Sequence, residues 1–244
     1  MNRFYCKFSQ VQGGKIIILD PGQLHHLKDV LRFKPGNKAA IFDDKGNDYS
    51  VKLVDISEKQ AEFLILEKES SLNIRKTKIA IACAIPKKSK IDDIIDKLTQ
   101  LGVDRIIPLT TERVIVKIDP AKGLQRLKRW EKIALSASKQ SQRNNVPIVD
   151  PVTDFSQLIR QSQEFDLKLI PNLEGSRKTL KEIFAKTNPK SVLAIIGPEG
   201  DFTVKEIAEA MQAGFIPVTF GNQVLRVETA CLYIASVLNY ELRT

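Results

Sequence analysis

The sequence predicts an α/β protein in which a small β-rich domain precedes a larger, mostly parallel sheet. Up to about residue 70, short runs alternate apolar and polar residues between turn residues, as half-buried antiparallel strands do. From about residue 74, apolar runs are separated by helical patterns, which is typical of a parallel sheet covered by helices. We therefore divide the chain into domains 1–70 and 74–244, with the polar residues 67–71 as a linker.

In the first domain we expect one short helix, a hairpin and further antiparallel pairing. The Asp, Gly and Asn residues at positions 43–47 are typical of a hairpin loop. The helix is placed at residues 25–31, and the strands are placed at residues 38–42, 49–56 and 61–66.

The second domain is expected to contain five main strands with helices between them. A helix at residues 91–101 has apolar residues at helical spacing and ends at Gly102, a position where glycine is common. Thr203 and Glu206 have the spacing of a capping box, which places the start of another helix. The strands are placed at residues 79–85, 105–109, 167–170, 192–196 and 216–220.

Two glycine-containing loops follow the last two predicted strands, which we take to be neighbours in the sheet. Gly197, Gly200 and Gly221 tolerate positive φ and let the backbone come close to a ligand, while Pro198 stiffens the first loop. The carboxyl ends of parallel strands are where open α/β sheets bind ligands. The two loops together therefore predict a small-molecule pocket, although either loop alone would also suit an ordinary strand-to-helix turn.

The basic character of the chain is concentrated in its middle. Residues 71–143 carry 17 Lys and Arg against 7 Asp and Glu, while the segments on either side are close to neutral. Dense Lys and Arg stripes attract nucleic-acid phosphates, although a solvated helix face would have the same composition. The basic residues include Lys87, Lys88 and Lys90 and, on one predicted helix and its exit, Lys122, Arg126, Lys128, Arg129, Lys132, Lys139 and Arg143.

Several classes of protein are disfavoured by the composition. No apolar run is long enough to span a bilayer, and the first residues lack the apolar core of a secretory signal. Cys6, Cys83 and Cys231 are widely spaced in apolar surroundings, which favours reduced thiols in a cytoplasmic protein. We predict no metal site, because there is no C-x-x-C pair and the two histidines are adjacent on a helix. The phosphate-binding motifs G-x-G-x-x-G and G-x-x-x-x-G-K-[ST] are absent from the sequence.

The two glycine loops also carry motifs of a known family. G-P-E-G at residues 197–200 followed by a helix, and L-R-V-E-T-A at residues 225–230 leading into an apolar helix, resemble the SPOUT methyltransferases. Within that class, the chain resembles the bacterial enzymes that methylate N3 of a uridine in small-subunit (16S) ribosomal RNA. Further blocks match the family in the same order, so the resemblance spans nearly the whole chain; these blocks lie at residues 25–32, 90–103, 112–113 and 140–143.

Three positions depart from the family pattern. Asp201 stands where the family commonly has a second Gly, Val114 where it has Ser, and Lys139 where it has Glu. Asp201 places a carboxylate beside the first glycine loop, and the sequence leaves its role open.

The resemblance implies a fold, a cofactor and partners. It implies a C-terminal trefoil knot, which general rules of chain topology would not predict, a β-barrel PUA-like RNA-binding domain, and a homodimer. The implied cofactor is S-adenosyl-L-methionine, and the implied partner is ribosomal RNA or the assembled small ribosomal subunit. The implied cofactor-binding residues are Leu169, Ile196, Gly197, Pro198, Glu199, Gly200, Phe220, Gly221, Leu225, Arg226, Glu228, Thr229 and Ala230.

RNA contacts are expected from basic residues of both domains. The resemblance places Arg3 and Arg32 in the RNA-positioning domain, and the charge stripe supplies further contacts in the middle of the chain. The predicted RNA-binding residues are Arg3, Arg32, Lys87, Lys88, Arg113, Arg126, Arg129 and Arg143.

Methylation of uridine N3 requires loss of the N3 proton, so a group that stabilises the resulting negative charge is needed. Arg226 is the first candidate for this catalytic role, and a structural pairing with Glu228 is an equal alternative. Glu199 or bulk solvent would accept the proton. The sequence leaves two other functions open: a non-enzymatic RNA-binding ribosome-assembly factor, which leaves the glycine loops unexplained, and a SPOUT enzyme that modifies another RNA base.

Overall fold

The computed structural model describes residues 2–70, 77–86, 90–114, 122–173 and 175–243. The chain forms two compact units. The first unit combines Met1–Ile74 with Ser138–Val146, and the second combines Arg75–Ala137 with Pro147–Thr244. The predicted division near residue 70 does not place Ser138–Val146 in the first unit.

The first unit is built on one six-stranded sheet. Its strands are β1 (Arg3–Cys6), β2 (Val11–Gln12), β3 (Lys15–Ile18), β4 (Lys38–Asp43), β5 (Asn47–Ile56) and β6 (Ala61–Ser70). They lie in the order β1-β4-β5-β6-β3-β2, with β1 parallel to β4 and the other pairs antiparallel. β1 also contacts β3, so the sheet curls into a half-barrel around a core of buried aliphatic and aromatic side chains.

The helix of the first unit begins earlier than predicted. Helix α1 (Pro21–His25) continues into a π-helical turn, His26–Val30. The Asp20 carboxylate caps α1 by accepting a 2.8 Å hydrogen bond from the backbone N–H of Gln23. A capping Asp followed by Pro at the first helical position is a standard helix start, which moves the beginning from residue 25 to residue 21.

The hairpin loop predicted at residues 43–47 is confirmed, and a buried carboxylate organises it. Asp43 is fully buried, and its oxygens accept hydrogen bonds of 2.8–2.9 Å from the backbone N–H groups of Lys45 and Asn47, the Asn47 amide and the Tyr49 hydroxyl. Burial and the Asp43 hydrogen bond raise the pKa of Tyr49 well above its usual value.

The linker predicted at residues 67–71 is wrong for the described part of that segment. Residues 67–70 continue β6, in which Glu67 pairs with Ser50 and Glu69 pairs with Asp48. Their polar side chains suggested a linker, but the backbone bonds to β5 extend the strand and the charged side chains remain exposed. Ser71 lies outside the described residues.

The second unit contains an eight-stranded sheet in which every described pair is parallel. Its strands are β7 (Lys78–Ala84), β8 (Arg105–Thr110), β9 (Ile148–Val149), β10 (Thr153–Asp154), β11 (Leu167–Pro171), β12 (Lys178–Thr179), β13 (Ser191–Ile196) and β14 (Ile216–Thr219). The five predicted strands correspond to β7, β8, β11, β13 and β14. The three two-residue strands were too short to produce an apolar pattern.

The helices of the chain's parallel α/β part are α2 (Ile91–Gln100), α3 (Gly123–Gln140), α4 (Phe155–Gln161), α5 (Leu180–Phe184), α6 (Val204–Gln212) and α7 (Val227–Arg243). The end of α2 is confirmed, since Gly102 follows it with φ of +87°. The capping box of α6 is confirmed as well, because Thr203 and Glu206 exchange backbone and side-chain hydrogen bonds. The predicted fold class, a mostly parallel α/β sheet preceded by a PUA-like β unit, is confirmed.

The strand order corrects one expectation about the glycine loops. The sheet runs β10-β8-β7-β13-β11-β14-β12, with β9 beside β8, so β11 lies between β13 and β14. The strands before the two glycine loops are therefore not neighbours. The carboxyl end of β11 adds a third loop between the other two.

Candidate active site

A cleft lies at the carboxyl edge of the second sheet. It is bounded by the loops after β11, β13 and β14 and by the start of α7. The space between its walls, including the part open to solvent, is about 610 Å³. Part of its wall is apolar and comes from Ile196, Val218, Leu225 and Ala230. The position at the carboxyl edge of the sheet and the mixed walls fit a small organic ligand with an aromatic part.

The predicted cofactor-binding residues divide into two groups. Leu169 does not line the cleft, and its side chain is fully buried in the sheet. Gly200, Arg226, Glu228 and Thr229 also lie outside the lining. The residues of the predicted set that line the cleft are Ile196, Gly197, Pro198, Glu199, Phe220, Gly221, Leu225 and Ala230.

Glycine is required at Gly197 and at Gly221 for different physical reasons. Gly221 has φ of +109°, a conformation that other residues rarely adopt. Gly197 and Gly200 do not have positive φ, so of these three glycines Gly221 alone uses the conformational tolerance that glycine offers. A Cβ on Gly197 would lie only 2.8 Å from Cε2 of the buried Phe202 ring, so the restriction there is steric.

This contact gives a first prediction. Gly197→Ala should lower the free energy of unfolding by about 1–3 kcal/mol, because the Phe202 ring must move within a packed core. Gly200→Ala is the matched control, since its new Cβ would make only ordinary contacts, the nearest at 3.6 Å from Arg113 Cδ. Denaturant unfolding of both variants measures the difference, and equal stabilities would contradict the steric role of Gly197.

Asp201 connects two of the three loops. Its φ is +60°, so the residue that replaces the family's usual glycine keeps a glycine-like backbone conformation. One carboxylate oxygen accepts a 3.0 Å hydrogen bond from the backbone N–H of Leu173, and the other accepts a 2.8 Å bond from that of Phe202. The Asp201 side chain therefore fastens the loop after β11 to the loop after β13, and it also lines the cleft.

The loop after β8 supports the same region from another side. Nη1 of Arg113 donates a 2.7 Å hydrogen bond to the carbonyl of Gly200. The buried Glu206 carboxylate accepts a 2.9 Å bond from the backbone N–H of Glu112 in addition to its capping bond to Thr203. Arg113, a predicted RNA-binding residue, is exposed but is also bonded to the backbone of the first glycine loop.

Glu228 and Arg226 are not joined by a described hydrogen bond or ion pair. Glu228 Oε1 instead accepts a 2.5 Å bond from Nζ of Lys90, which immediately precedes α2. This bond is the main reason that the pKa of Glu228 lies below its usual value of 4.5, and the Arg226 charge adds a smaller effect. Arg226 itself is exposed just before α7.

A second prediction follows from the Lys90–Glu228 pair. Lys90→Met should reduce stability at neutral pH, because the carboxylate loses its main partner. Because the pKa of Glu228 is lower in the folded than in the unfolded state, its ionised form stabilises the fold at pH values above the unfolded-state pKa. This stabilisation disappears as Glu228 becomes protonated. The difference in unfolding free energy between wild type and Lys90→Met should therefore shrink as the pH falls below about 4.5. Urea unfolding from pH 7 to pH 3 tests it, and a pH-independent difference would contradict the pairing.

The basic residues of α3 form a surface of the second unit that we call the α3 groove, lined in part by Lys122, Arg126, Lys128, Arg129 and Lys132. Arg129 is exposed but donates to Asp92 at 2.5 Å, and the buried Trp130 also donates to Asp92, at 3.1 Å. Arg126 is partly exposed. The predicted RNA-binding residues Lys87 and Lys88 lie outside the described residues.

The predicted RNA-binding residues of the first unit have different environments. Arg32 is exposed, with φ of +52°. Arg3 reaches both oxygens of Asp48 at 2.6–2.7 Å, donates to the carbonyl of Arg143 and lies over the Phe42 ring. Arg143 is only 6% exposed. Arg3 and Arg143 are thus held within the unit, and Arg32 is the one of these three arginines that is open to solvent.

Sequence reasoning missed part of the cleft. The signal that could have found it is β11, an apolar strand that ends at Pro171 and is followed by Asn172, because a strand between two ligand loops contributes its own carboxyl end. The lining residues outside the predicted set are Pro171, Asn172, Leu173, Arg177, Asp201, Val218, Thr219, Gln223, Val224 and Val227.

Other classes of site find no support in the described ranges. There, no group of three or more His, Cys, Asp or Glu side chains could hold a metal ion. Cys6, Cys83 and Cys231 are buried and free, and burial raises the pKa of Cys6 to about 12. Within the same ranges, no helix combines the length and apolar character needed to cross a membrane.

Comparison with known proteins identifies the family. Residues 73–239 match the RNA methyltransferase domain, and residues 19–66 match the RNA methyltransferase PUA domain. The chain belongs to this RNA methyltransferase family. The family matches cover both structural units in part, with the larger match including all three loops of the cleft.

Two relatives match this RNA methyltransferase along almost their whole length. The chain is 34% identical to "Ribosomal RNA small subunit methyltransferase E" of Mesomycoplasma hyopneumoniae, over 96% of this chain and 97% of the relative. It is 30% identical to the protein of the same name from Bacillus subtilis, over 99% and 97%. The crystal structure of the Neisseria gonorrhoeae enzyme of that name, bound to S-adenosyl methionine, superposes with a TM-score of 0.87 at 30% identity, covering 99% and 98% of the two chains. The family recognised from the loop motifs is confirmed.

Proposed function

We propose that this protein methylates N3 of a uridine in small-subunit ribosomal RNA and uses S-adenosylmethionine as the methyl donor. The observation that carries the proposal is the cleft at the ends of β11, β13 and β14, to which both family motifs contribute lining residues. Support also comes from the relatives named "Ribosomal RNA small subunit methyltransferase E" and from the S-adenosyl methionine bound in the Neisseria gonorrhoeae structure. The choice of uridine as the methylated base, and of N3 as the methylated atom, rests on the sequence motifs.

The residues of the cleft fit such a cofactor. The apolar side chains of Ile196, Val218 and Leu225 suit an adenine ring, and Gly197 and Gly221 place backbone groups in the lining. The ionisable lining side chains suit its charged methionine part. When bound, S-adenosylmethionine supplies an electrophilic methyl group on a sulfonium.

The protein's own contribution is to hold the reacting groups and to stabilise charge. Loss of the N3 proton leaves negative charge on the uracil carbonyl oxygens, which a nearby guanidinium stabilises. Arg226 is exposed beside the cleft and, among the described residues, its guanidinium has no hydrogen-bonding partner, so it is available for this role. Glu199 is exposed in the cleft lining and is our candidate to accept the proton, with solvent as the alternative.

We assign RNA binding to both units. The α3 groove offers Lys and Arg side chains for phosphates, and Arg32 offers an exposed contact in the PUA-like unit. A homodimer and a C-terminal trefoil knot are parts of the same proposal, based on the family resemblance. The exposed Tyr233 and Tyr240 on α7 are apolar surface that a second copy would cover.

Transfer of a labelled methyl group tests the proposal. The purified protein should incorporate methyl from methyl-labelled S-adenosylmethionine into small-subunit ribosomal RNA, either free or assembled in subunits that lack the modification. Large-subunit ribosomal RNA and transfer RNA serve as controls and should gain no label. Calorimetric binding of the cofactor without methyl transfer to any RNA would contradict the enzymatic function.

A further inference from the structure

The charges on the wall of the cleft do not balance. Among the described residues that line it, the ionisable side chains are Arg177, Glu199 and Asp201, which together carry one net negative charge. Nη1 of Arg177 donates a 3.1 Å hydrogen bond to the carbonyl of Asn172, which turns part of its guanidinium toward the backbone. The cleft is therefore suited to a ligand with net positive charge.

Asp201 is the most firmly held of these charges. Each of its oxygens accepts one backbone hydrogen bond, from Leu173 and Phe202, and its own backbone N–H donates to the carbonyl of Pro198 at 3.0 Å. Glu199, in contrast, is exposed and has no described hydrogen-bonding partner. A carboxylate fixed in this way keeps its charge at one place on the wall and loses no further side-chain freedom when a ligand binds.

We propose that Asp201 makes the cleft select the positively charged methyl donor over its neutral demethylated product. The inference rests on the proposed function of the cleft as the S-adenosylmethionine site. The donor carries a sulfonium, an ammonium and a carboxylate, with net charge of +1, whereas the product has a thioether in place of the sulfonium and no net charge. The two ligands otherwise share the same groups, so a fixed negative charge favours the donor and lessens inhibition by the product.

Calorimetry of the two ligands tests this selectivity. The quantity is the ratio of the dissociation constant of S-adenosylhomocysteine to that of S-adenosylmethionine. Asp201→Asn should lower this ratio about two- to fivefold, the scale of a partly exposed charge interaction. A loosened loop would weaken both ligands alike and leave the ratio unchanged, so the ratio separates charge from structure. Asp201→Gly, which suits the backbone conformation, should lower the ratio to the same extent.

The control variant removes an equal charge away from the cleft. Asp93 is exposed on α2 and does not line the cleft, so Asp93→Asn should leave the ratio as in wild type. Added salt should reduce the ratio for wild type and have less effect on the ratio for Asp201→Asn. Salt screens the charge of Asp201, which the variant lacks. An unchanged ratio in both Asp201 variants would overturn the inference while leaving the cofactor site intact. If wild type bound neither ligand, the proposed function itself would fail.

Discussion

Arg226→Ala should lower the single-turnover rate of RNA methylation by roughly 10²-fold or more, the scale seen when one donor to a developing anion is removed. The arginine is exposed beside the cleft, so cofactor affinity and the melting temperature should change little. Arg226→Lys should recover only part of the rate, because a flexible point charge does not reproduce the planar guanidinium fork. Rapid-mixing methyl transfer with saturating cofactor and RNA measures the rates.

Glu228→Ala distinguishes this role from a structural one. If Arg226 acted through a pair with Glu228, removal of either residue would cause the same loss and the double variant would be no worse. The structure pairs Glu228 with Lys90 instead, so Glu228→Ala should reduce stability and leave the Arg226-dependent rate largely in place. A normal rate in stably folded Arg226→Ala would exclude Arg226 from catalysis and direct attention to Glu199.

We expect the affinity for RNA to depend on the basic side chains of the α3 groove. Neutralising Arg126, Lys128 and Lys132 of the α3 groove with Gln should weaken RNA binding and reduce its salt dependence. If all three contact phosphates, the slope of log affinity against log salt should fall by about 2 to 3 in total, since each contact contributes about 0.7–0.9. Arg129 is left unchanged because it also pairs with Asp92.

A matched variant controls for net charge. Lys181, Lys186 and Lys190 are exposed elsewhere on the same unit, and their change to Gln removes the same number of charges. This control should bind RNA more tightly than the α3 variant, and both should bind cofactor as wild type does. Equal RNA affinities and slopes in the two variants would show that the α3 groove is only a solvated basic face.

The fold was predictable where local pattern decides it. The apolar periodicity of α2 and the capping box of α6 correspond to observed bounds because both depend on residues a few positions apart. The strand status of residues 67–70 was missed, since it depends on pairing with β5, a non-local contact that polar side chains conceal. The place of β11 between β13 and β14 was missed for the same reason, because strand order is a property of the whole sheet.

The cleft was predicted from glycines, and the structure changes the explanation for one of them. Gly197 is required by the ring of Phe202 rather than by backbone conformation. Phe202 lies five residues further along the chain, and the sequence alone does not reveal this contact. The pairing of Glu228 with Lys90 joins residues 138 positions apart, which spacing within the L-R-V-E-T-A motif does not show. Asp201 was noticed only as a departure, and its bond to Leu173 became visible once the third loop was placed.

Nucleoside mass spectrometry distinguishes methylation of uridine N3 from every other methylation of the RNA. Small-subunit ribosomal RNA that lacks the modification is incubated with the protein and methyl-labelled S-adenosylmethionine, digested to nucleosides and compared with authentic standards. We expect label in 3-methyluridine, at one position of the RNA, and loss of this label with Arg226→Ala. Label in a ribose-methylated nucleoside or in another methylated base would contradict it.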